Sequence, residues 1–126
     1  MWEWTSRSTV SGSEVIIMKM VKAIIKPERF ELVKKALEEK GVTGMTVTEV
    51  QGRGEQKGII LEYRGKPMIV DMLPKIQIEI IIRDKEVDEV ITTIIGAAKT
   101  GQIGDGKIFV LPVDTAIRVR TGEMEC

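Results

Sequence analysis

The chain has 126 residues, 43% of them hydrophobic, with 19 basic and 19 acidic side chains balancing to zero net charge. That length leads to an expectation of one domain with its own core, and the absence of a basic excess argues against nucleic acid as the main partner. Histidine is absent and the single cysteine is Cys126, which removes zinc centres, internal disulfides and Cys/His or Ser/His catalysis and fits a reducing cytoplasm.

Residues 1–17 are rich in Ser and Thr, with Trp2 and Trp4 near the start. They lack the basic and apolar regions of a signal peptide. They read as a disordered N-terminal extension or an upstream start codon that biology does not use, with a docking tail as the less favoured alternative. Residues 18–126 then form the folded domain. No run approaches the roughly 18 apolar residues of a membrane helix.

Residues 19–25 read as a first strand. Lys26-Pro27-Glu28 breaks it, and the proline suits the first turn of a helix. Phe30, Val33 and Leu37 recur at helical spacing until Gly41 ends the pattern. Residues 43–51 are rich in β-branched side chains and predict a second strand. Residues 52–75 show little periodicity and are punctuated by Gly52, Gly54, Gly58 and Gly65. A structureless stretch of that length is uncommon in a compact domain, so a mobile binding loop is favoured over a neutral insertion.

Residues 76–82 alternate and then run apolar, as a central strand does. Val87, Val90, Ile91, Ile94 and Ile95 form a second helical stripe, read as core packing against a sheet. Residues 107–113 predict a fourth strand, and 116–120 a short fifth. The order β-α-β-β-α-β is the ferredoxin-like split arrangement, an α+β sandwich with two helices on one face of an antiparallel sheet. Strands apolar on both sides imply self-association.

The segment Thr100-Gly101-Gln102-Ile103-Gly104-Asp105-Gly106-Lys107 joins the second helix to the fourth strand. Glycines let backbone come close to a ligand, and a lysine supplies a point charge for an anion. Gly101, Gly106 and Lys107 fit G-x-x-x-x-G-K, but Ile108 stands where a magnesium-holding hydroxyl belongs. The segment also leads into a strand, not a helix. It is a candidate nucleotide-phosphate site of another kind than a P-loop NTPase.

Three stretches together resemble the P-II nitrogen-regulatory signal proteins of the GlnB/GlnK type, from Met18 to about Glu123. They are Gly44-Met45-Thr46-Val47-Thr48-Glu49-Val50 with Gly52 and Gly54; Tyr63-Arg64-Gly65 through Val70-Asp71 and Leu73-Pro74-Lys75; and residues 100–110. The resemblance implies a ferredoxin-like homotrimer with ATP or ADP in the clefts between subunits, and 2-oxoglutarate bound with Mg-ATP. It also implies that the long T-loop between the second and third strands docks onto targets: an ammonium transporter of the Amt family at the membrane, or enzymes such as glutamine synthetase. The protein would then be cytoplasmic, and peripheral at the membrane when docked.

Carried over by residue, Gly104, Asp105, Gly106 and Lys107 would cradle phosphate. Gly52, Arg53 and Gly54 would border the nucleotide, and Ile24, Met45, Thr46, Glu79 and Ile81 would line the adenine and ribose side. Arg118 and Arg120, two apart on the expected fifth strand, would face phosphate oxygens together. Each keeps a plainer alternative: a solvated edge strand for the arginines, an ordinary outward residue for Glu79. Gln56 would give magnesium an amide oxygen. Lys57, Gly58 and Lys75 would complete the 2-oxoglutarate site with Gln56, Lys75 pairing with a carboxylate. Tyr63 and Arg64 would dock partners, Arg64 entering a transporter pore.

Two positions depart from the pattern. Met68 replaces the tyrosine that many bacterial members uridylylate, and Lys66 stands where some cyanobacterial members carry a phosphorylated serine. The output is then expected to be set by ligands alone. The implied role is a regulator and not an enzyme. A slow ATPase or phosphotransferase is the rival, opposed by the missing P-loop hydroxyl and the lack of an evident general base. A base-stacking RNA module is opposed by a chain with two Trp, one Tyr and two Phe. A nitrogenase-switching member of the same family is a closer variant.

Overall fold

A computed structural model describes residues 16–53, 59–63, 66–70 and 72–125, with backbone only for 59–63 and 66–70. The expectations placed on residues 1–15, and on Gly54, Gln56, Lys57, Gly58 and Arg64, lie outside the described residues.

The fold is the ferredoxin-like α+β sandwich expected from the pattern. Strands β1 (Met18–Ile25), β2 (Thr46–Gly52), β5 (Leu73–Arg83) and β6 (Gly106–Val113) form one sheet in the order β2-β5-β1-β6. Each pairing in it is antiparallel. Helices α1 (Phe30–Glu39) and α2 (Val87–Ala98) each follow a short 3-10 turn, at Pro27–Arg29 and Asp84–Glu86.

Alternation along each strand sends one set of side chains into the core. Val21, Ala23 and Ile25 of β1 and Ile78, Ile80 and Ile82 of β5 are buried with Val33 and Leu37 of α1 and Val90 and Ile94 of α2. Burying each of these Val, Leu and Ile side chains stabilises by about 1.5–3 kcal/mol, which is what holds both helices on one face of the sheet. α1 stops where Gly41, at φ +83°, donates its N–H to Glu38 O at 3.0 Å while Val42 donates to Leu37 O at 2.9 Å. Only glycine takes that φ at little cost, and the turn returns Val42 to the core beside Leu37.

The opposite face carries Met20, Lys22 and Ile24 of β1 beside Glu79 and Ile81 of β5, as the register requires. Phe109 and Leu111 of β6 share it and are exposed.

Four sequence expectations need correction. β2 starts at Thr46, because Val42 is drawn into the helix-facing core and the chain needs the next residues to reach the sheet edge. β5 starts at Leu73, since Leu73, Pro74 and Lys75 pair with Gly52, Gln51 and Val50. Pro74 is tolerated there because β1 joins β5 only from Ile76 onward, so its missing N–H breaks no ladder on that side. Residues 52–75 are not structureless: β3 (Ile59–Tyr63) pairs with β4 (Lys66–Val70) as a separate two-stranded sheet. Lastly, 116–120 is no strand. One bridge joins Ile117 to Met124, and the chain reverses with Gly122 N–H donating to Arg118 O at 2.7 Å. Gly122, at φ +72°, makes the reversal.

Candidate functional site

The C-terminal ends of β1 and β2 and the N-terminal ends of β5 and β6 meet at one end of the sheet. The register places Ile24 opposite both Gln77 and Lys107, and Val50 opposite Lys75. The glycine loop, 99–105, closes this end.

Asp105 shapes the loop from within. Its carboxylate accepts the Thr100 N–H at 2.8 Å, the Gly101 N–H at 2.9 Å and the Thr100 hydroxyl. Lys26 lies 3.4 Å away as an ion pair. The hydrogen bond from the Thr100 side chain, then that from its backbone, with smaller help from Gly101 and Lys26, holds the Asp105 carboxyl well below the usual carboxylate range. The chemical consequence is a loop braced by a carboxylate that is anionic at ordinary pH, so Asp105 orients the loop.

Three glycines make the course of the loop possible, with φ of +86° at Gly101, +93° at Gly104 and +117° at Gly106. At Gly106 the need is absolute: a Cβ would stand 1.8 Å from the Ile24 carbonyl oxygen. Lys75 crosses from β5 to donate from Nζ to Gly104 O at 2.6 Å. The start of β5, from which the 53–72 segment returns, is thus tied directly to the glycine loop.

The sheet face beside the loop carries Ile24, Thr46, Glu79, Ile81 and Lys107 together, by strand parity and register. Glu79 pairs with Lys22 at 3.6 Å across the strands. Met45 is set apart from this group and packs against the core. Gly52 ends β2 with Arg53 exposed beyond it, and a Cβ at Gly52 would meet only Lys75 Cγ at 3.6 Å. Arg118 does not share a strand face with Arg120; its Nε donates to Glu125 at 2.7 Å, while Arg120 is exposed in the turn. Tyr63 ends β3 opposite Lys66.

Behind the loop, between α2 and β6, a cavity of about 410 Å³ is lined by Ile25, Ile91, Ile94, Ile95 and Ile108 together with Lys99, Asp105 and Lys107. Among the described residues no group of three or more carboxylate, histidine or cysteine side chains is placed to hold a metal. No helix among them is long and apolar enough to cross a membrane.

Sequence reasoning passed over Lys26, Arg29 and Thr100. Lys26 enters the sequence pattern only within the Lys26-Pro27-Glu28 strand break, and Arg29 carries no local signal. Thr100 carried a usable signal, a hydroxyl residue and an aspartate flanking a glycine turn, which is a side-chain-to-backbone hydrogen-bonding pattern.

Fold and site together define a small ferredoxin-like α+β protein with a braced glycine loop at the open end of its sheet. The family described as "Nitrogen regulatory protein P-II" matches residues 18–123. The chain belongs to the P-II family. It is 56% identical over 109 residues to "Nitrogen regulatory protein P-II 2" of Methanothermobacter thermautotrophicus, covering 86% of this chain and 95% of that one. It is 57% identical over 106 residues to "Nitrogen regulatory protein P-II" of Klebsiella oxytoca, covering 84% and 95%. Among solved structures, Arabidopsis thaliana PII bound to citrate superposes with a TM-score of 0.69 at 44% identity, covering 86% of this chain and 88% of that one.

Proposed function

We propose that this P-II protein senses ATP, ADP and 2-oxoglutarate and passes the reading to a target through its 53–72 segment. The observation that carries the proposal is the glycine loop. Asp105 braces it internally, and Lys75 ties it to the base of that segment. A nucleotide phosphate seated on Gly104, Gly106 and Lys107 is thereby in mechanical contact with the element that would dock.

ATP and ADP would compete for the loop, with Ile24, Thr46, Glu79 and Ile81 presented on the adjoining sheet face and Gly52, Arg53 and Gly54 at its border. Arg118 and Arg120 would contribute charge from the C-terminal turn. Met45 would act through packing, from the core side. The described residues form no carboxylate cluster, so magnesium would arrive with the nucleotide and take one amide oxygen from Gln56. When bound, the ion supplies a hard cation shared by phosphate and oxo-acid oxygens. Lys57 and Gly58 would complete the 2-oxoglutarate site, and Lys75 would meet a carboxylate. A carboxylate at Lys75 must share or break the bond to Gly104 O, so the effector would be felt at the nucleotide loop. That a related plant PII is bound to citrate, a polycarboxylate, supports an effector of this chemistry.

The protein would act as a homotrimeric, cytoplasmic regulator and not as an enzyme, its relatives being named as regulatory proteins. Tyr63 and Arg64 would dock at an ammonium transporter of the Amt family, with glutamine synthetase as a further target. With Met68 and Lys66 at the two modified positions, ligands alone would set the output. The test is Gln56→Ala: 2-oxoglutarate binding should vanish while ADP binding persists. Undiminished 2-oxoglutarate binding by the variant would refute the assignment.

A further inference from the structure

The α2 helix ends at Ala98, and its last carbonyls need partners from outside the helical ladder. In a continued helix Ala97 O would accept from Gly101 N–H. Gly101 N–H is instead given to Asp105. Arg29, in the short turn after β1, fills the vacancy. Its guanidinium donates to Ala97 O twice, from Nε at 3.0 Å and Nη2 at 2.8 Å. A cation at a helix C-terminus also opposes the negative end of the helix dipole. Three residues before Arg29, Lys26 pairs with Asp105 at the other end of the loop.

We propose that Arg29 is a positioning residue for the glycine loop: by occupying Ala97 O it stops α2 and leaves Gly101 N–H for Asp105. Lys26 and Arg29 thus hold the two ends of the loop from one short segment. Without Arg29, Gly101 N–H and Ala97 O are free to pair with each other. The helix then grows by a residue or more at the expense of the loop. The ligand consequence rests on the nucleotide reading above, and the loop consequence does not.

The test uses the full chain as wild type, Arg29→Gln and Arg29→Lys. Two quantities are read: the backbone amide proton shifts of Thr100 and Gly101, which report bonding to the Asp105 carboxylate, and the affinity for ADP. In Arg29→Gln the Gly101 amide should lose its carboxylate-bonded position while amides along the β2–β5 ladder stay in place. ADP affinity should fall by about tenfold, the scale of one lost hydrogen bond to a charged group. Arg29→Lys, with a point charge in place of the two-pronged donor, should fall between, and it serves if the glutamine variant does not fold. Unchanged Thr100 and Gly101 shifts would overturn the proposal. Shifts displaced equally throughout the sheet would also overturn it, since they report general loosening. If wild type binds no ADP, the nucleotide reading fails and the amide shifts still decide the role of Arg29.

Discussion

Replacing Gly106 by alanine should be among the most damaging single-methyl changes available in this chain. The new Cβ would lie 1.8 Å from Ile24 O, whereas real Cβ atoms keep at least 3.0 Å, so about 1.2 Å of displacement is required. The obstacle is backbone of β1, which is paired on both sides and cannot yield as a flexible side chain would. The residue's φ of +117° adds about 1–3 kcal/mol of strain for any L side chain, and forced overpacking about 1–3 kcal/mol more. Together these give about 2–6 kcal/mol against a typical total of about 5–15 kcal/mol. Two controls separate the terms. Gly41→Ala has φ +83° but nothing within 4 Å, so it carries the conformational cost alone, about 1–2 kcal/mol. Gly52→Ala has ordinary contact at 3.6 Å and should stay within about 1 kcal/mol of wild type. Urea denaturation of the four proteins at equal concentration measures the differences, equal concentration removing any contribution that association between copies would make to apparent stability. If Gly106→Ala costs no more than Gly41→Ala, the close approach of β6 to β1 is wrong.

Other outcomes follow from the same geometry. Because the folded Asp105 carboxyl is held below its ordinary range, its contribution is complete above the unfolded value of about 4 and is lost as pH falls below it. The stability gap between wild type and Asp105→Asn should therefore shrink as urea titrations move from pH 5 to pH 3; a constant gap would contradict the bracing role. Lys75→Gln removes the cationic donor to Gly104 O and should weaken 2-oxoglutarate binding more than ADP binding in paired calorimetric titrations. Equal losses for the two ligands would place Lys75 in general loop support.

The element order was legible because the burial pattern alternates cleanly where the strands are central: Val21, Ala23 and Ile25 face inward, as do Ile78, Ile80 and Ile82. The hairpin within 52–75 is hard to read in the sequence because its strands do not alternate cleanly and no Asn-Gly or Asp-Gly pair joins them. Ile59-Ile60-Leu61-Glu62-Tyr63 and Met68-Ile69-Val70 are apolar and separated by only Arg64, Gly65 and two leading residues of β4, which is a hairpin signal that loop composition concealed. Residues 116–120 imitate a strand because Ile117 and Val119 alternate with arginines, a period-2 pattern that Gly122 cancels by reversing the chain. Within the site, Gly104 to Lys107 stood out because glycine and lysine carry local signals. Lys26 and Arg29 did not, since their partners Asp105 and Ala97 lie far along the chain and become neighbours only when β6 lies beside β1. Met45 packs against the core just before β2 begins, whereas Thr46 opens the strand opposite Glu79, a difference set by where the chain joins the sheet.

The central claim is that one protein reads a nucleotide and an oxo-acid together. Calorimetric titration of 2-oxoglutarate, with and without saturating Mg-ATP, tests it most directly. Linkage makes the effect reciprocal, and couplings of this kind are typically about 5–150-fold. 2-Oxoglutarate should bind tightly with Mg-ATP present and about 5–150-fold more weakly without it; equal affinity in both conditions would contradict a shared reading of the two ligands.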